Sequence, residues 1–224
     1  MRLDNLEIAE SSLRADCVER AIPALQTVLL VCTVVATMIG AAGCGGGNSP
    51  GTSVTGNVNG RSFAAKDAIT THATGSGFTF GGPASYIEIT DYASACADET
   101  AGQQPATGQR LLLAIASYNA SGTAAPPTQP GTFPVHQSGP GTASSNIAQL
   151  YYDGGCFKAQ AHAGLSGTVT LTAVASDGTL DGTFDIVLTC DGFSSCSGPD
   201  AHLTGSFHAA PCPGLNVNAT PACI

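Results

Sequence analysis

Gly167–Ala175, GTVTLTAVA, decides the fold class of this chain. Val169, Leu171 and Ala173 fall on one side and Thr168, Thr170 and Thr172 on the other, the period of two of a half-buried β-strand. Ser176-Asp177-Gly178-Thr179 supplies turn residues, and Leu180–Thr189 returns with Phe184, Ile186 and Leu188 inward. Beyond the loop from Cys190 to Ala201, His202–Ala209 repeats the alternation with Leu203 and Phe207 inward. Three antiparallel strands with one wet face predict a meander.

The stretches upstream extend the same reading. Thr52–Val58 alternates towards Asn59-Gly60, a strong hairpin signal because both turn residues tolerate positive φ, and Arg61–Ala65 follows. Strands are expected over Ala68–Ala73, Gly77–Phe80 and Ser85–Thr90, the last with Tyr86, Glu88 and Thr90 on one face and Ile87 and Ile89 on the other. Residues 91–109 read as a long loop. Arg110–Tyr118, RLLLAIASY, is the most apolar run of the folded part. It predicts a central strand buried on both faces for part of its length, with a helix as the alternative. Residues 119–146 run over the surface with a short strand at 132–135. Ile147–Tyr152 is a further strand, and Phe157–Ala163 continues past a Gly154-Gly155-Cys156 turn. The expectation is an all-β domain over 53–210, an antiparallel sandwich or barrel ending in the meander, with a disulfide-closed tail over 211–224.

Ahead of this domain lies Leu25–Cys44, LQTVLLVCTVVATMIGAAGC. Val28–Ile39 is an apolar core of about 12 residues, the length of a signal-peptide h-region. Ala41, Ala42 and Gly43 directly precede Cys44, which resembles the lipobox of bacterial lipoproteins, cut before the cysteine once the thiol carries lipid. The resemblance implies a signal peptide over 1–43 and lipidation at Cys44. An uncleaved membrane anchor is the alternative, but Gly40-Ala41-Ala42-Gly43 would end such a helix poorly, since glycine costs about 1 kcal/mol in a helix interior. Gly45-Gly46-Gly47 opens a flexible tether over 44–52. Residues 1–20 carry five acidic and three basic residues, unlike a signal peptide's positive start. A start codon assigned too far upstream explains them better than a cytoplasmic extension.

Past residue 43 the permanent cations are Arg61, Lys66, Arg110 and Lys158 against eleven carboxylates, within a chain of net charge −9. No basic patch can neutralise phosphates, so nucleic acid is excluded as a partner. Six cysteines follow Cys44: Cys96, Cys156, Cys190, Cys196, Cys212 and Cys223. Outside the cytoplasm an even set reads as three disulfides. Proximity in sequence favours Cys190–Cys196 and Cys212–Cys223, which leaves Cys96–Cys156. No CxxC occurs, so a thiolate zinc site is not expected.

Candidate chemistry is sparse. His202 and His208 share the polar face of one strand and could meet His136 or His162 at a zinc ion, but six residues of strand span about 20 Å. Solvated histidines are the simpler reading. Asp177, Asp181 and Asp185 recur every four residues without the D-x-D-x-D-G calcium loop, and they suit turns. No G-x-S-x-G occurs, and Ser76 and Ser121 read as loop residues. Asp98-Glu99 reads as a pair of solvated loop charges rather than a glycosidase pair. Tyr151 and Tyr152 point to opposite faces, so one of them could offer a sugar platform, but such a pair reads more simply as completing the core. No catalytic residue, metal site or cofactor is assigned.

Val54–Phe63 (V-x-G-x-V-N-G-x-x-F), Ser166–Thr172 (SGTVTLT), Gly182–Asp185 (G-x-F-D) and Leu203–Cys212 (LTGSF-x-A-x-x-C) together resemble a group of bacterial lipoproteins of uncharacterised function. The resemblance implies a β-sandwich or barrel lipoprotein and brings no catalytic residues. The expected function is that of a lipid-anchored cell-envelope protein, non-enzymatic and either structural or ligand-binding, with a glycan or an envelope protein as partner. The alternative is an extracytoplasmic hydrolase with an unrecognised carboxylate or metal site. Gly45 after the lipidated cysteine fits an outer-membrane destination in a host with two membranes.

Overall fold

Asn59 and Gly60 turn the chain with φ values of 52° and 77°, as the dipeptide demands. They join β1 (Ser53–Val58) to β2 (Arg61–Ser62), which pairs over only two residues rather than the five expected. The computed structural model describes residues 51–74, 83–135, 147–153, 162–190, 198–217 and 222–224. The leader, Cys44, the expected strand Gly77–Phe80 and His136 lie outside them.

The remaining strands are β3 (Asp67–Thr74), β4 (Pro83–Thr90), β5 (Gln103–Gln104), β6 (Arg110–Tyr118), β7 (Ala124–Ala125), β8 (Gly131–Pro134), β9 (Ile147–Asp153), β10 (His162–Val174), β11 (Leu180–Thr189), β12 (Ala201–Pro211) and β13 (Ala222–Cys223). One short helix, α1 (Ala95–Thr100), interrupts them. The main sheet runs β11-β10-β9-β6-β4-β3-β12-β1-β2. β12 also pairs with β11 over its length, from Leu180↔Ala209 to Leu188↔Ala201. Its far end pairs parallel with β3 at Ala210↔Ile69 and Pro211↔Thr70. The sheet therefore curls as a half-barrel and is mixed, not antiparallel throughout. The all-β class and the C-terminal meander β10-β11-β12 stand as the alternation predicted.

Inside the curl lie Ile87, Ile89, Leu111, Leu113, Ile115, Val169, Leu171, Phe184, Ile186, Leu203 and Phe207, each large side chain contributing about 1.5–3 kcal/mol by leaving water. β6 is a strand between β4 and β9, not a helix. Both its faces are buried: Leu112, Ala114 and Ala116 pack outward against Tyr86, Ala84 and Ala124. A third cluster of Ile69, Tyr92, Ala95, Cys212 and Leu215 covers the outer side where the C-terminal segment crosses α1.

The opposite wall is wet. Register places Thr132, Thr170, Thr183, Ser206 and Ser53 in one row across β8, β10, β11, β12 and β1. The hydroxyls of Thr132 and Thr170 lie 3.2 Å apart, and those of Ser53 and Ser206 3.0 Å apart. On the inner side of the same strands, Phe184 faces Gly205 and Phe207 faces Gly182. A Cβ on either glycine would strike the opposing ring.

The segment 91–109 contains structure that its sequence hides. α1 starts at Ser94, whose φ is 66° and whose side chain makes no capping bond. The cap comes from β3 instead: Asp67 Oδ2 accepts from Ala95 N at 3.0 Å. Asp91 Oδ1 accepts from Gln109 N at 2.6 Å, while Arg61 reaches both Asp91 Oδ2 and the Thr107 carbonyl.

Candidate functional site

Three groups of polar side chains could carry chemistry. The first is buried beneath α1. Alternation on β4 sends Glu88 away from the core face of Ile87 and Ile89, towards the layer formed by α1 and the C-terminal segment. There the Glu88 and Glu99 carboxyls hydrogen-bond each other. Tyr92 donates its phenol to Glu99 Oε1 at 3.0 Å, and Arg110 Nη1 stands 3.8 Å from the same oxygen. Burial raises the Glu88 pKa to about 8, aided by the charge of Glu99 and opposed by Arg110. Burial also pushes the Tyr92 phenol well above its ordinary range. Two carboxyls sharing one proton can act as acid and base. Here, however, Glu88 is 3% exposed and Glu99 9%, so the pair binds α1 to the sheet and meets no solvent-borne substrate. Sequence treated Asp98-Glu99 as solvated loop charges; that is corrected for Glu99, which the helix turns inward.

The second group lies on the wet wall. His208 Nδ1 and Asp181 Oδ1 are 2.6 Å apart, as are His202 Nε2 and Asp185 Oδ1. Asp181 stands directly opposite His208, whereas Asp185 meets His202 on the diagonal. The two histidines are kept apart on one strand, each with its own carboxylate. Asp177 serves its turn, accepting from Thr179 N at 2.9 Å. Among the described residues no three His, Cys, Asp or Glu side chains converge as a metal site.

The third group occupies one end of the half-barrel. Ala68, Thr70 and His72 alternate onto the core face of β3, and their cross-strand neighbours are Ile89, Ile87 and Ser85. The interior thus passes from apolar to polar towards this end. His72 Nδ1 and Ser85 Oγ are 3.0 Å apart. A cleft of about 260 Å³ opens here, with Thr70, His72, Asp177, Gly178, Pro211 and Pro213 in its lining. The Thr70 hydroxyl is buried without a hydrogen-bond partner. Ser85 is fully buried, so its hydroxyl orients the imidazole and cannot reach a substrate. A second cleft, of about 430 Å³, lies between the β1–β2 turn and Gly198-Pro199-Asp200, with Asn57 and Asn59 in its wall.

The cysteines correct the expected pairing. Cys96 on α1 is bonded to Cys212 just past β12, S–S 2.09 Å. This excludes both Cys96–Cys156 and Cys212–Cys223. Proximity in sequence misled because β12 returns the chain to β3 and lays Cys212 beside a helix 116 residues upstream. Cys190 and Cys223 are disulfide-bonded as well, while Cys156 and Cys196 lie outside the described residues. His162 is fully buried, with Nε2 3.2 Å from Cys190 Sγ.

The side chains of Tyr151 and Tyr152, Ser76 and Cys44, the residue expected to carry lipid, fall outside the described residues. Ser121 belongs to a loop turn in which Asn119 Oδ1 accepts its amide and hydroxyl. No helix among the described residues is long and apolar enough to cross a membrane. Comparison with protein-family models, curated proteins and solved structures finds no match for this chain.

Proposed function

We propose that this is a lipid-anchored cell-envelope protein, held through Cys44 and a glycine-rich tether, whose half-barrel serves as a non-enzymatic structural or ligand-binding module. The observation that carries this reading is the Cys96–Cys212 disulfide: such bonds persist in oxidising compartments and are rare in the cytosol. Ala41-Ala42-Gly43-Cys44 after an apolar run supplies the address. A diacylated, N-acylated cysteine gains about 0.8 kcal/mol for each buried methylene, so the anchor is firm. Radiolabelled palmitate fed to expressing cells is expected to label the wild-type protein, and Cys44→Ala to abolish the label and release the domain from membranes. Unlabelled protein with free thiols throughout would refute the reading.

The alternative, an extracytoplasmic hydrolase, would need a site other than the sealed Glu88–Glu99 pair, and its test is turnover of a glycan or ester library by the purified protein.

A further inference from the structure

We propose that the polar mouth of the half-barrel, between β3, the end of β12 and the β10–β11 turn, binds one neutral sugar ring. The proposal deepens the ligand-binding reading by naming a site and a ligand class, and it does not depend on the lipid anchor. Mouths of β-barrels are recurrent ligand positions, and this one is where the core face stops being apolar. Its floor is Thr70, in register with Ile87 and Pro211; beyond it stands His72, exposed, opposite Ser85.

Size comes first. The cleft's 260 Å³ falls below the ~300–1,000 Å³ of drug-sized pockets and suits a molecule of one ring. Charge comes next. Asp177 is fully exposed, and hydrogen bonds from Thr179 hold its carboxyl below the usual range, so it is ionised at neutral pH. No lysine or arginine lines the cleft, which disfavours phosphates and carboxylates. Hydrogen bonding then selects hydroxyls. Asp177 accepts, and the imidazole of His72, fixed through Nδ1 by Ser85, offers its Nε2 edge. The Thr70 hydroxyl is buried within the floor, so the contacts to the ligand fall to Asp177 and His72. Pro211 and Pro213 provide rigid apolar rings for the C–H face of a pyranose. Asp177 and His72 make no ion pair, and Ser85 is sealed beneath the imidazole, so the arrangement binds without acyl transfer.

The test uses the full chain in detergent, with saturation-transfer difference NMR against glucose, galactose, mannose and N-acetylglucosamine. Putrescine, inorganic phosphate and p-nitrophenyl acetate are the competing probes. At least one sugar is expected to bind with a Kd of about 1 mM, typical of so small a ligand. Asp177→Asn, which keeps the turn, and His72→Gln are each expected to weaken it by about tenfold, the scale of one hydrogen bond to a charged or oriented group. No sugar signal from folded, disulfide-intact protein would overturn the proposal. So would affinity unchanged in both variants, or preferential binding of the diamine or phosphate. Sugar or ester turnover would instead refute the non-enzymatic reading. Loss of palmitate labelling alone would refute the anchor and leave the site standing.

Discussion

The ring of Phe184 occupies the space that a side chain on Gly205, its cross-strand neighbour, would need. Phe207 and Gly182 repeat the arrangement in the adjacent register. Each glycine is thus set by the aromatic opposite it, since a strand interior otherwise disfavours glycine. Gly205→Ala must displace both the Phe184 ring and the Ser53 carbonyl of β1. It is expected to cost about 1–3 kcal/mol, the range for overpacked cores, read as a lower urea midpoint at unchanged slope. Pairing it with Phe184→Leu should restore part of the loss, since the smaller side chain vacates the contested space.

Cys96–Cys212 closes a loop of 116 residues. Removing the bond by Cys96→Ser or Cys212→Ser is expected to destabilise by about 3–5 kcal/mol on the chain-entropy estimate. Each single variant should equal the double variant in denaturant titration, apart from the reactivity of the thiol left behind. Peptide mapping under non-reducing conditions should recover Cys96 and Cys212 in one cross-linked fragment.

Glu88 sets a pH dependence. Burial and the neighbouring Glu99 raise its pKa from an ordinary 4.5 to about 8, so between these values the folded chain holds a proton that the unfolded chain has released. Stability from this group is full below pH 4.5, falls as pH rises and levels off above pH 8. Denaturant midpoints measured across that window should trace the fall. Glu88→Gln, which keeps a neutral side chain of the same shape, should flatten the curve and unfold at higher denaturant than the wild type at pH 8.

The His208–Asp181 pair lies at the surface, its side chains 41% and 39% exposed. Solvent and salt screen such a contact, and a double-mutant cycle of His208→Gln with Asp181→Asn is expected to give a coupling of less than about 1 kcal/mol. Coupling should shrink further in 1 M salt.

Period-two alternation made the strands legible from Gly167 to Ala209, and the Asn59-Gly60 turn could be placed from the two residues alone. β6 could also be read, because an apolar run bounded by polar loops fits a strand buried on both sides. α1 could not: six residues span too few turns for a helical period, and its cap, Asp67, comes from another strand. The same distance in sequence hid Glu99, whose partners Glu88, Tyr92 and Arg110 lie on separate elements. It hid the disulfide too, since Cys212 reaches α1 only because β12 returns beside β3. The cleft was invisible for a related reason: Thr70 and His72 are ordinary strand residues until Asp177 and Pro211 arrive from the far end of the chain.

β12 has β11 on one side and both β1 and β3 on the other. The strand that begins the domain and the one that nearly ends it are thus direct neighbours. A chain leaving any pore amino end first must keep β1 waiting, its backbone unsatisfied on that edge, until more than 150 residues have followed. Closing so distant a contact is slow. That edge of β1 therefore closes only once the last strand of the main sheet is present.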